Sequence, residues 1–102
     1  MTLDMKPFDP AEVLTTEGRI SAYLEEAFAD GDPAIIALAL GDVARARNIG
    51  ALAKQTGLTR MALYKALSAE GNPRLSTLMA VVKALGYQLS ISLACREPEN
   101  QP

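Results

Sequence analysis

The chain is cut into short helical runs by its own punctuation, and this confines it to a small bundle of packed helices. Asp9-Pro10 and Asp32-Pro33 each set a carboxylate ahead of a proline. The carboxylate can accept from the first free helical N–H groups, and the proline's fixed φ suits the first helical position. Thr15 or Thr16 offers a hydroxyl start for "EGRISAYLEEAFADG", and Thr59 does the same for the run from Arg60 to about Ser68. Gly31, Gly57 and Gly86 stand where such runs stop. Ile20, Tyr23, Leu24, Ala27 and Phe28 share one stripe of an amphipathic helix. The next run, "AIIALALGDVARAR", is apolar nearly all round at first and is predicted to be central to the core. Asn48 and Gly50 mark a break before a further helix over about 49–56, and "AEGNPR" reads as a loop. A last helix runs from about Leu75 to Leu85, with Leu75, Leu78, Met79, Val82 and Leu85 at helical spacing.

The segment that follows changes period. Leu89, Ile91 and Leu93 alternate with Gln88, Ser90 and Ser92, which predicts a half-buried strand over about 88–93. A lone strand leaves its backbone groups unpaired. Pairing with the same strand of a second copy satisfies them, and so does a strand of another protein; an extended tail is the third arrangement. The fold class expected is therefore all-α, five or six helices with one short C-terminal β-strand. Residues 8–94 form a single domain, 1–7 a flexible start and 95–102, with two prolines, a flexible tail.

Composition narrows the chemistry. The 102 residues include no His and one Cys, so most zinc sites and most acid–base catalysis at neutral pH are disfavoured. Cys95 has no His to activate it and no second Cys to pair with, which fits a reducing cytoplasm and an incidental residue. Glu25-Glu26 reads as a solvated helix face, so neither an enzyme nor a cofactor is expected. No run reaches the roughly 18 apolar residues of a membrane span, and the start lacks a signal-peptide pattern. A cytoplasmic protein without a membrane partner is expected.

Charge is sorted along the chain although the total is only −2. Residues 1–44 hold two cations against nine carboxylates, while residues 45–83 hold seven cations against Glu70 alone. Coincidence with solvation is the plain account. A basic block centred on a recognisable pattern points instead to a polyanionic partner. The pattern is "IGALAKQTGLTRMALYKAL" with its flanks, about 49–68. Gly57 provides the tight turn between two helices, Ala53 is small where they cross, and Leu52, Leu58, Leu63, Ala66 and Leu67 face inward. Arg60, Met61, Tyr64, Lys65 and Ser68 then face outward, with Thr59 at the N-terminus of their helix beside N–H groups that suit a phosphate. Arg60 suits guanine, Met61 and Tyr64 a thymine methyl or a sugar (or packing), and Lys65 a phosphate or guanine. Lys54, Arg47 and Arg74 lie on flanking elements and suit phosphates. A plain helical hairpin is the alternative, but the outward cations favour double-stranded DNA.

These residues also carry a resemblance. "LGDVARARN", "TGLTRMALYKALS" and "EGNPRLSTL…VVKALG", within a similarity from about Phe8 to about Leu93, resemble the Xre/Cro-like (lambda-repressor-like) helix-turn-helix domain of addiction-module antidote proteins, which are HigA-like antitoxins. The resemblance implies a homodimeric repressor of its own operon that binds and neutralises a small basic RelE/HigB-like toxin. By position, it makes Leu52–Thr56 the first helix and Thr59–Ser68 the recognition helix. Arg74 departs from the family, where a small polar helix cap is usual. Two alternatives are a free-standing phage-type repressor and a toxin-binding adaptor without DNA binding.

Overall fold

The computed structural model of the chain describes Ala11 and residues 14–92. The expected helix start at Asp9-Pro10, the terminal segments, Leu93 and Cys95 lie outside the described residues. Among the described residues, five α-helices follow one another: α1 Glu17–Asp30, α2 Pro33–Arg47, α3 Ile49–Thr56, α4 Arg60–Ala66 and α5 Leu75–Ala84.

Their starts obey the cap chemistry. The hydroxyl of Thr16 accepts from the Arg19 N–H, the Asp32 carboxylate from Ala34, the Asn48 side-chain oxygen from Ala51 and the Thr59 hydroxyl from Ala62. Each satisfies an N–H that has no partner inside its own helix. Only α5 begins without such a bond, because Arg74 stands at its cap position and has no acceptor to offer.

Helix α2 is the centre. Leu40, Val43 and Ala44 are fully buried and join Ile20, Leu24 and Ala27 of α1, Leu52 of α3, Leu63 of α4, and Val81, Val82 and Leu85 at the end of α5 in one apolar cluster. Leu14 also enters this cluster, which fastens the chain ahead of α1. Helix α1 packs along α2, α5 packs on α3, and α3 and α4 each touch α2 as well as each other. Within α2, Gly41 is needed for contact. A Cβ there would stand 2.5 Å from the backbone carbonyl of Leu67, so only glycine lets the end of α4 come this close.

A polar junction ties the distant ends together. The Arg47 guanidinium at the end of α2 donates to the Glu17 carboxylate and, at 3.0 Å, to the Leu85 carbonyl. Tyr87 donates to the same carboxylate at 3.2 Å, and its oxygen lies 3.2 Å from the Ser21 hydroxyl. The Arg47 hydrogen bond is the largest influence that holds the Glu17 carboxyl below the ordinary glutamate range. Partial desolvation opposes it, while the charge of Arg47 and the Tyr87 bond add to it.

The packing sorts the apolar residues of α5. Leu75 and Met79 do not join the inward stripe of α5; both are exposed, and Val81 takes the fully buried place beside Val82 and Leu85. A helix with apolar residues on two faces gives spacing that fits either face. The C-terminal strand expected over about 88–93 is not seen among the described residues. Residues 87–92 carry no regular structure, Leu89 and Ile91 are exposed, and Ile91 is 99% accessible. Among the described residues no strand lies beside this segment to form a ladder with it.

Candidate nucleic-acid interface

Helices α3 and α4 form a compact two-helix unit. Gly57 turns the chain with φ 77° and donates to the Ala53 carbonyl at 2.9 Å, which closes α3. That left-handed conformation strains residues with a Cβ. The Thr56 hydroxyl donates to the Leu52 carbonyl at 2.9 Å and accepts from the Leu58 N–H at 3.3 Å, which braces the turn from inside. Thr59 then caps α4.

Helix α4 is held by little. Leu63 is fully buried and Leu67, at the C-cap, nearly so. Arg60, Met61, Tyr64 and Lys65 are exposed, Met61 at 79% and Tyr64 at 51%. Single exposed apolar residues are ordinary, but these two flank cations on one short helix, and that combination suits a binding face. Lys54 on α3 and Arg74 at the start of α5 are also exposed. Lys54, Arg60, Lys65 and Arg74 make no ion pair among the described residues.

The geometry refines several of the residues singled out from the sequence. Arg60 leans back over α3: a Cβ on Gly50 would lie 2.7 Å from its guanidinium nitrogen. Its charge therefore sits at the junction of the two helix starts, a placement that Gly50 permits and that spacing along one helix does not show. The Thr59 hydroxyl is occupied by its own cap bond, although the residue is exposed. Helix α4 ends at Ala66, short of the expected Ser68, and the Ser68 hydroxyl turns back to donate to the Lys65 carbonyl at 2.9 Å. Arg47 is engaged by Glu17 and Leu85, which fastens it to the fold rather than to the open face. Arg45 likewise pairs with Asp42, a buried carboxylate that also accepts from the Tyr23 hydroxyl. The basic block thus divides: its first two arginines bind carboxylates of the acidic half, and the later cations stand open.

The architecture and this face define a small all-helical protein that displays a cationic two-helix unit. The chain belongs to the family described as probable addiction module antidote proteins, whose model matches residues 4–93. It is also 47% identical, over 91 residues, to an uncharacterized protein of Haemophilus influenzae, an alignment that covers 89% of this chain and 94% of that relative. No solved structure matches the chain. An antidote is the counterpart of a toxin, so membership implies a toxin partner. Among the described residues, no helix is long and apolar enough to cross a membrane.

Proposed function

We propose that this antidote is a sequence-specific DNA-binding repressor of its own operon, with α3, the Gly57 turn and α4 as an Xre-type helix-turn-helix, and that it acts by binding rather than by catalysis. The observation that carries this is the division of the basic block: Lys54, Arg60, Lys65 and Arg74 have no carboxylate partner among the described residues, although the first half of the chain is rich in carboxylates. Helix α4 lies in the major groove, where Arg60 and Lys65 meet base edges or phosphates and Met61 and Tyr64 meet methyl groups or sugars. Lys54 and Arg74 neutralise phosphates. The acidic half is no obstacle, because affinity follows the phosphates met by the local face.

The protein works as a homodimer. Leu89 and Ile91, exposed and without a ladder partner here, pair with the same segment of a second copy, with Leu93 continuing the alternation. The toxin is a small basic RelE/HigB-like protein, and its binding adjusts DNA affinity by linkage. Hydroxyl-radical footprinting on the DNA upstream of the gene tests the arrangement. Two protected tracts about 34 Å apart are expected, one for each recognition helix. Uniform, unpatterned protection would refute it.

A further inference from the structure

The most buried helix of the bundle leaves two large apolar side chains in the open. Ile35 is 42% and Leu38 45% accessible, one turn apart on α2, while the neighbouring Ala37, Ala39 and Leu40 are buried. They form the floor of an open groove of about 620 Å³ between α1 and α2. Tyr23 and Asp42 line its inner end, and Glu26 and Asp30, both exposed, line the α1 side. No Lys or Arg is among its lining residues. An apolar floor with only carboxylates at its edge matches a helix that carries apolar residues at i and i+3 or i+4 with Lys or Arg beside them.

The groove is separate from the cationic face but close to it. Leu38 and Asp42 also line a second cavity, which extends to Tyr64 and Leu67 at α4. One molecule therefore carries two surfaces of opposite charge on either side of α2. A cationic partner is repelled by the α4 face and drawn to the α1–α2 groove.

We propose that the α1–α2 groove is where this antidote holds its toxin, by taking a cationic amphipathic helix of that protein between Ile35 and Leu38 on one side and Glu26 and Asp30 on the other. The assignment rests on the antidote role and adds to it the surface and the chemistry of the segment bound. A two-fold symmetric contact with a second copy would bring the same carboxylates against these, so charge complementarity favours the toxin over that arrangement.

The probe is the product of the reading frame beside this gene, produced together with the full chain and titrated by calorimetry. Leu38→Asp is expected to weaken the complex roughly 30-fold or more, as for a central apolar contact. Glu26→Lys with Asp30→Lys removes the complementary charge without touching a buried residue and is expected to weaken it comparably and to reduce its salt dependence. Lys83→Ala, at an exposed residue of α5 that lines neither surface, should leave the affinity within about twofold, in the range of a residue outside the contact. If the wild-type chain binds and both groove variants bind as well as it does, the groove assignment is overturned while the antidote role stands. Absence of any complex with the wild-type chain overturns the partner reading and the groove with it. Variants that self-associate differently, with toxin binding unchanged, would show that the occupant is a second copy and would also overturn the proposal.

Discussion

Helices α2 and α4 touch each other and spend their residues in opposite ways. Six of the fifteen residues of α2 are buried, and its terminal arginines are bound by Asp42 and Glu17. Helix α4 gives one side chain, Leu63, to the core and is otherwise mostly open, with no carboxylate partner for Arg60 or Lys65 among the described residues. The difference teaches where the fold's stability resides and which surface stands open. Arginines at the end of α2 serve the bundle, and Lys54, Arg60, Lys65 and Arg74 make no ion pair among the described residues.

Removing the single anchor of α4 should give the largest effect. Leu63→Ala is expected to cost about 2–5 kcal/mol in urea unfolding, because the side chain is fully buried among helices that cannot all collapse onto the space. Met61→Ala, on the same helix, should change stability by less than about 0.5 kcal/mol. Equal losses for the two would erase the contrast between anchor and display. Gly41→Ala comes next. Its methyl would meet the Leu67 carbonyl, so α2 and α4 must shift apart, at about 1–3 kcal/mol in the same measurement.

The next pair sharpens the comparison on the binding side. Arg60→Ala should weaken specific DNA binding by about 1–3 kcal/mol and relax sequence preference, with little change in unfolding. Lys54→Ala should weaken binding to all sequences alike and reduce the salt slope by about one. A variant pair that behaves identically on native and scrambled duplexes would place Arg60 among the phosphate contacts.

The smallest effect belongs to the Glu17 junction. Its carboxyl is held below the ordinary value, chiefly by the Arg47 hydrogen bond. The ionised form therefore stabilises the fold above the ordinary glutamate pKa, and this contribution is lost as pH falls through the lowered value in the folded protein. Glu17→Gln should melt slightly below wild type near neutrality and together with it in acid, as read from melting temperatures across pH. A gap that widens on acidification would reverse the sign argued here.

The helices were legible because their ends are local chemistry. Thr16, Asp32 and Thr59 cap the helices that their positions foretell, and Gly57 makes the predicted turn. What spacing did not decide was which of two apolar faces of α5 turns inward, and Leu75 and Met79 went to the open side. Nor does the local pattern place Arg47 on Glu17, thirty positions away, or Arg60 over Gly50, since both depend on how helices meet. The strand over 88–93 shows a further limit. Alternation suits a strand beside a partner, and no such ladder is present among the described residues.

The central claim is that the open cations of α3 and α4 face a specific duplex. Fluorescence anisotropy of a labelled fragment from upstream of the gene, titrated at several salt concentrations beside a scrambled fragment, tests it most directly. Submicromolar affinity for the native fragment with a steep salt slope, and much weaker binding to the scrambled one, is the predicted result. Equal and weak binding to both fragments would contradict it and leave the protein an antidote that holds its toxin without reading DNA.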